Sequence, residues 1–356
     1  MSTHKGAVPE QYSGYIGRKI GINFAGLLIL GLLFVVSISV GPVSIPFGDV
    51  VRTLSYGDTT RRLSTIIFQI RLPQTLAAVA SGAGLAVSGA VMQSILRNPL
   101  GSPFTLGISN AAAFGAAFSV MILGSGSMQS GGSEAITLSN PYTTTLSAFF
   151  FCVLTAAVIL GVAKVKRTSP EVMVLTGIAL GALYSAGTMF LQYFADDVQL
   201  AAMVFWTFGD LARASWGELS IIGVVTLLSL FYFMLQRWNY NALNTGDETA
   251  KSLGVAVGRI RLVGMVTASL VTAVIISFVG VIGFVGLICP HMVRRLVGDD
   301  HRFLLPGSAI MGAILLTAAD TAARVVMSPH VLPVAILTAF LGAPAFIYLL
   351  IRGYRR

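Results

Sequence analysis

The sequence predicts an all-α polytopic membrane protein, with about ten transmembrane helices in a single domain over residues 1–356. Two observations predict this class. Charged residues make up 10% of the chain and hydrophobic residues 55%, and the mean hydropathy is +0.83. Ordinary soluble domains carry about 25% charged residues. This chain has too little charge to cover a soluble surface, so we expect that surface to face lipid.

Ten apolar segments are long enough to be helical spans, since a helix crosses the hydrocarbon core with about 20 residues. They cover residues 20–40, 72–95, 103–123, 143–163, 172–194, 215–236, 262–278, 279–297, 304–325 and 332–351. The split between the seventh and eighth segments is the least marked, because residues 278–288 are continuously apolar. A cleaved signal peptide is the competing interpretation of the first segment, but its apolar run is long and has no small-residue cleavage site.

The positive charges indicate an orientation. With the N-terminus in the cytoplasm, 17 of the 23 Lys and Arg residues fall on the cytoplasmic side. Cytoplasmic loops carry this kind of excess. We therefore expect a short cytoplasmic tail (1–19), a cytoplasmic C-terminus and a cytoplasmic loop at 239–261. The net charge of +9 is spread between the apolar segments, so it does not indicate nucleic-acid binding.

Small residues are dense within the apolar segments. Ser81-Gly82-Ala83-Gly84 leads to Ser88-Gly89-Ala90, and Gly177 and Gly181 form a GxxxG pair. Such residues let helices approach closely in lipid. A weak repeat relates the segment from Arg71 to Pro99 with the segment from Arg261 to Pro290, which indicates two pseudo-symmetric halves.

The sequence lacks the common motifs for nucleotide binding, metal binding and nucleophilic catalysis. The chain contains no phosphate-binding Gly-x-x-x-x-Gly-Lys-Ser/Thr, His-Glu-x-x-His, Gly-x-Ser-x-Gly or paired-cysteine motif, which argues against a membrane enzyme. Ion-coupled transporters usually carry acids in mid-span. The only near-span acid is Asp320, and Arg324 four residues later predicts an ion pair on the same helix face.

The predicted cytoplasmic loop contains a short helix. Thr245 and Glu248 have the spacing of a capping box, which starts a helix by satisfying free backbone N–H groups. Gly254 offers a left-handed stop. The sequence predicts about two turns with Ala250 and Leu253 on one side. A helix this short is marginal in water unless it packs on something, and we expect that support to be another protein.

A series of short motifs runs through about residues 65–350. They are Arg71-Leu72-Pro73, Ser88-Gly89-Ala90-Val91-Met92-Gln93, Arg97-Asn98-Pro99-Leu100, Leu106-Gly107-Ile108-Ser109-Asn110, Gly283-Phe284-Val285-Gly286-Leu287, Pro290-His291, Arg294, Asp299, His301-Arg302, Leu305-Pro306-Gly307, Asp320, Arg324, Leu341-Gly342-Ala343-Pro344 and Phe346. In this order they resemble the permease family of ABC importers for iron-siderophores, haem and cobalamin, the FecCD type.

The resemblance implies a dimeric ABC importer permease fold, built as a homodimer or a closely related heterodimer around a central pathway. Its partners would be two ATP-binding-cassette ATPase subunits on the cytoplasmic side and a periplasmic or lipid-anchored substrate-binding protein outside. ATP and Mg would bind to the ATPase subunits, and this chain would hold no cofactor or metal. The location would be a bacterial or archaeal cytoplasmic membrane.

The resemblance also implies roles for individual residues. The family's coupling segment has the form Gly-acid-x-x-Ala-x-x-Leu-Gly, and it maps onto Gly246, Asp247, Ala250, Leu253 and Gly254. This is the short helix that the capping pattern predicts.

Three further sites follow from the resemblance. Arg71 and Arg324 would meet carboxylates of the binding protein. The other two sites are a small polar lining of the pathway and a cytoplasmic gate. Their residues are Asn98, Ser109 and Asn110 for the lining, and Thr168, Ser169, Pro170 and Glu171 for the gate.

The function expected is therefore that of a permease subunit that translocates a metal chelate, with ferric siderophore as the first choice. Haem or cobalamin import by the same family is the alternative. An ion-coupled secondary transporter is a further alternative that the scarcity of mid-span acids disfavours, and a non-transporting scaffold is the last.

Overall fold

The computed structural model describes residues 10–56, 60–125, 141–165, 169–327 and 330–353, and the described part is helical without strands. The helices are α1 (Glu10–Ser39), α2 (Phe47–Tyr56), α3 (Arg61–Thr65), α4 (Leu72–Ile95), α5 (Ile108–Met121), α6 (Pro141–Val165), α7 (Pro170–Phe194), α8 (Asp197–Thr207), α9 (Trp216–Leu235), α10 (Arg237–Asn244), α11 (Asp247–Ser252), α12 (Val257–Val279), α13 (Val285–Val297), α14 (His301–Ala323) and α15 (Val334–Gly353). A π-helical turn, Ile66–Arg71, joins α3 to α4.

The membrane-spanning class is confirmed. Seven helices in the described ranges are long and apolar enough to cross a membrane: α1, the continuous helix Arg61–Ile95, α6, α7, α9, α12 and α14. Shorter apolar helices, α5 and α15, correspond to the third and tenth predicted segments. The predicted boundaries agree with these helices to within about five residues, except at two starts and in the eighth segment. The helix α1 begins at Glu10, before the first predicted segment, and the continuous helix begins at Arg61, before the second.

The eighth predicted segment, 279–297, is only partly helical. The backbone turns at Gly280 (φ 79°) and Phe284 (φ 67°), and the helix α13 begins at Val285. Its 13 residues are about 20 Å long, too short to cross the hydrocarbon core alone. The freed carbonyl of Val279 accepts a hydrogen bond from the backbone N–H of Asp210 at 2.8 Å, which is how irregular backbone is tolerated at this depth.

The helix α4 is the centre of the bundle and packs on α9, α12, α13 and α14. Glycines bring these helices into backbone contact. A Cβ on Gly82 would lie 2.3 Å from the carbonyl oxygen of Gly312 in α14, and one on Gly89 would lie 1.7 Å from that of Gly286 in α13. The small residues of α4 therefore serve close helix packing, as their spacing predicts.

Candidate functional site

The short helix α11 lies where the sequence predicts it, but it begins after Gly246 and not with a capping box at Thr245. Its N-cap is Gly246, with φ 118° and no side-chain cap. The capping-box prediction is wrong because α10 extends to Asn244, which makes Thr245 the C-cap of α10. The Thr245 hydroxyl donates backwards to the carbonyl of Ala242 at 2.8 Å. The predicted stop is confirmed, since Gly254 has φ 82°.

Two predicted coupling residues in and beside α11 differ in burial. Ala250 is fully buried and packs in a core cluster with Leu243 and Val257. Leu253 is 66% exposed. Residues three apart lie on the same side of a helix, so the difference between them is one of burial: Ala250 anchors α11 to its own chain. Of this pair, Leu253 alone is free to contact a partner.

The first residue of α11 is held by a buried arginine. Both carboxylate oxygens of Asp247 accept from Nη2 of Arg261, at 3.0 and 3.2 Å. The Arg261 side chain is 3% exposed, and its Nε donates to the carbonyl of Ile95, the last residue of α4, at 2.7 Å. A second guanidinium, that of Arg97, lies 3.8 Å from Asp247. Arg261 thus joins the starts of α11 and α12 to the end of α4.

A pocket of about 540 Å³ opens beside this ion pair. Its lining consists of Leu96, Arg97, Ser169, Pro170, Glu171, Asp247 and Arg261. The structure therefore brings the start of the coupling helix together with three of the four predicted gate residues. The fourth, Thr168, lies outside the described residues. Two guanidinium groups and two carboxylates line this pocket.

The gate residues form the start of α7. Pro170 is its first residue, a position that suits proline because the N–H there has no intrahelical partner. Glu171 accepts a short hydrogen bond from the Ser169 hydroxyl. The carboxylate of Glu171 is exposed, so it is free to change partners.

The three predicted pathway residues make separate contacts within the chain. The Asn98 amide oxygen accepts from the N–H of Leu100 at 2.9 Å and closes a local turn after α4. Ser109 is buried. Asn110 donates to the carbonyl of Gly181 at 3.0 Å and to the Ser185 hydroxyl at 3.1 Å. Asn110 therefore ties α5 to α7, and the shared polar lining stays a prediction.

The two predicted docking arginines are both buried, at 4% exposed each. Nη1 of Arg71 donates to the carbonyls of Ile38 and Ser39 at 2.6 and 2.9 Å. Arg324 donates to the carbonyl and the hydroxyl of Ser37 at 3.1 and 2.6 Å. The last carbonyls of a helix lack intrahelical partners and form the negative end of its dipole. Both side chains therefore clamp the end of α1, and as placed neither presents its charge to a partner.

The predicted pair of Asp320 and Arg324 is present. The two side chains lie 3.0 Å apart, both with about 5% exposure or less, and Asp320 also accepts from Gln74 of α4 at 2.9 Å. This near-span acid is therefore already paired within its own chain.

A second polar link runs from α10 to α4 through a histidine. The buried His301 ring lies 2.6 Å from the Ser94 hydroxyl and 2.8 Å from the Asn241 amide oxygen. Asn241 also donates to Asp300 at 3.1 Å. Burial alone would raise the pKa of Asp300, but hydrogen bonds from Arg302 and Asn241 lower it to about 2. This arrangement satisfies His301 as a structural residue between α4 and α10.

The sequence predicted no role at the site for Arg97 or Arg261, because both were counted as orienting charges and Arg97 otherwise appeared only within a family motif. Arg97 follows α4 with φ 48°, which is uncommon outside glycine. The signal available in the sequence was the placement of Arg261 at the start of an apolar helix, close after the acid of the coupling segment.

The comparisons with known proteins agree with this architecture. The family model of the FecCD transport family matches residues 28–352. A protein of Methanocaldococcus jannaschii, named as a candidate ABC transporter permease, is 52% identical over 98% of this chain and 99% of its own length. The hemin transport system permease protein of Yersinia pestis is 36% identical over 96% of this chain and 98% of its own.

A solved structure has the same fold. It is described as an inward-facing conformation of a candidate metal-chelate type ABC transporter, and it superposes with a TM-score of 0.79 at 33% identity. The match covers 93% of this chain and 99% of that one. With a family match over nearly the whole length, the chain belongs to the FecCD transport family and is the permease subunit of an ABC importer.

Proposed function

We propose that this permease carries a metal chelate into the cytoplasm, with ferric siderophore as the substrate class. Two observations support a chelate: the similar solved structure is of a metal-chelate type, and the relative from Yersinia pestis transports hemin. A large chelate delivered by a separate protein needs a wide passage rather than a tight site.

The observation that carries the proposal is the geometry of α11. The helix is fixed to the bundle by buried Ala250 and by the Asp247–Arg261 pair, while Leu253 is left 66% exposed. An exposed leucine on an anchored helix is suited to insertion into a groove of another protein. We assign that groove to the ATPase subunit.

The partners follow from the importer class. Two ATPase subunits supply ATP hydrolysis and hold ATP and Mg, and a substrate-binding protein delivers the chelate on the opposite side. A second permease subunit completes the passage. The orientation that suits these partners has both termini and α11 in the cytoplasm, with residues 1–356 forming a single permease domain.

The start of α7 is the proposed cytoplasmic gate. Ser169, Pro170 and Glu171 line the same pocket as Asp247, which supports a gate next to the helix on which the ATPase would act. Thr168 belongs to the same proposal by its place in the sequence. Closing this segment against the second subunit would seal the passage.

Haem is the second candidate substrate, because the relative from Yersinia pestis is a hemin transport permease. The experiment that decides is uptake into proteoliposomes that contain this permease, its ATPase and its binding protein. We expect ATP-dependent uptake of a ferric siderophore, with hemin and cobalamin measured in parallel. If hemin alone is taken up, the substrate of this permease is haem and not a ferric siderophore.

Uptake driven by an ion gradient without any ATPase would contradict the proposed function itself. So would a complete system in which loss of the permease leaves chelate uptake unchanged. A matched liposome preparation that contains the ATPase and binding protein but no permease provides the baseline for both measurements.

A further inference from the structure

We propose that Arg261 is the positioning residue through which a movement of α11 reaches α4 and the gate. The inference rests on the proposed function, because it assumes that an ATPase moves α11. It goes beyond that function in naming the side chain that carries the movement into the bundle.

The contacts of Arg261 place it between two elements that otherwise meet little. One side of its guanidinium holds both oxygens of Asp247, and Nε holds the carbonyl of Ile95 at 2.7 Å. Asp247 begins α11, and Ile95 ends α4. A displacement of α11 along its own axis must therefore stretch this link or pull the end of α4 with it.

The chemistry of the link requires arginine. A guanidinium is planar and presents its donors in fixed directions, so one side chain can hold a carboxylate and a carbonyl at a set angle. A lysine ammonium carries the same charge as a single point. The Arg261 side chain is 3% exposed, so water screens its attraction for Asp247 less than it would at an open surface.

The end of α4 is suited to respond. Ile95 has a carbonyl without an intrahelical partner, as the last carbonyls of any helix do. Two residues later, Arg97 takes a backbone conformation that costs free energy for a side chain other than glycine and that is typical of switch regions. Arg97 lies 3.8 Å from Asp247, so the same displacement changes its surroundings as well.

The pocket beside Asp247 brings the residues that follow α4 next to the start of α7, where the proposed gate lies. Its lining holds two guanidinium groups, Arg97 and Arg261, and two carboxylates, Asp247 and Glu171. When α11 moves, the Asp247–Arg261 link carries the end of α4 with it, and Arg97 shifts relative to Glu171. The distance between the end of α4 and the start of α7 then changes, and with it the width of the gate.

The test measures the number of ATP molecules hydrolysed per chelate transported, in proteoliposomes with the complete importer. The variants are Arg261→Lys, Arg261→Gln and Asp247→Asn. We expect each to raise this ratio by about tenfold, the size of a typical coupling between two sites. The matched control is Arg259→Gln, which removes an exposed arginine from the first turn of the same helix and should leave the ratio unchanged.

A double variant separates a link from two independent roles. If Arg261 acts through Asp247, then Asp247→Asn combined with Arg261→Gln is no worse than either change alone. Effects that multiply in the double variant would overturn the inference, as would a wild-type ratio in all three single variants. If the Arg261 variants do not assemble, Asp247→Asn decides the question, since its side chain is 32% exposed and the change preserves its shape.

Failure of the inference is distinct from failure of the proposed function. The proposed function fails if the wild-type permease neither binds the ATPase nor imports a chelate. The inference fails if the wild type does both and the three variants keep its ratio.

Discussion

Gln74 of α4 donates a hydrogen bond of 2.9 Å to Asp320 of α14, and Asp320 in turn pairs with Arg324 at 3.0 Å. Arg324 reaches the end of α1 through Ser37. One buried chain of polar contacts thus joins three helices at the end of α4 opposite to the gate pocket. The acid that a proton-coupled transporter would need is committed to holding the bundle together.

The first prediction concerns this chain. Asp320→Ala leaves the buried Arg324 guanidinium without its carboxylate, and breaking a buried pair from one side typically destabilises a protein by about 3–5 kcal/mol. We expect a clear fall in the thermal unfolding temperature of the purified permease. Asp197→Ala, at an exposed site on α8, is the control. Equal unfolding temperatures for the Asp320 variant and the wild type would show that the pair contributes nothing to stability.

The second prediction concerns Leu253. Leu253→Asp puts a charge at the proposed apolar contact, so we expect loss of ATPase co-purification and of ATP-driven uptake. Folding should be unaffected, because the leucine is 66% exposed. Ser252→Asp adds the same charge to the neighbouring exposed position and should retain most of the association. Full co-purification and uptake with Leu253→Asp would refute the docking role of α11.

The third prediction distinguishes the buried Arg71, which stabilises the fold, from the exposed Arg61 and Arg62 on the same side of the protein. Arg71→Gln removes donors from the buried carbonyl of Ile38 and the partly buried carbonyl of Ser39, so it should lower stability whether or not a binding protein is present. Arg61→Glu with Arg62→Glu changes exposed charges on the same side and should leave stability unchanged.

If acidic groups of the binding protein meet this side, the Arg61 and Arg62 double variant weakens docking most at low salt, where surface charges are least screened. The measurement is binding-protein affinity at two ionic strengths. An affinity that the double variant leaves unaltered at low salt would exclude these two arginines from docking.

The fourth prediction concerns the gate. Single cysteines at Ser169, Pro170 and Glu171 should cross-link to the second permease subunit when the gate is closed, and trapping the ATPase with a nucleotide analogue should change the yield. The two native cysteines are buried, so they should give little background. Ser252→Cys on α11 is the control position. A dimer that is intact but never cross-links at these three sites would rule out a gate formed by this segment.

Composition was enough to predict the class, because too little charge for a soluble surface leaves few alternatives. The close packing of α4 was also predictable, since a glycine every few residues has one main use in lipid. The start of α11 was not. The capping box at Thr245 is a local sequence pattern. It does not form, because α10 extends to Asn244 and Thr245 becomes the C-cap of that helix.

The roles of the arginines were harder to predict, because an interfacial arginine and a buried clamp look the same in sequence. Arg71 and Arg324 sit at helix ends where a charge could reach water, yet the loop after α1 covers them. For Arg261 the sequence predicted only a role in membrane orientation, but the folded chain uses its side chain as a contact between α11 and α4. Both outcomes depend on which carbonyls lie nearby, and that is a property of the folded chain.

The glycine contacts of the bundle bear on how the passage can open. Backbones that touch at Gly82 and Gly312, and at Gly89 and Gly286, cannot rotate past one another without collision. We therefore expect helices α4, α13 and α14 to move together. The backbones of Gly107 and Gly177 are in equally close contact and join the start of α5 to α7. We expect the passage to open by changes between these two groups of helices, with the close contacts inside each group kept.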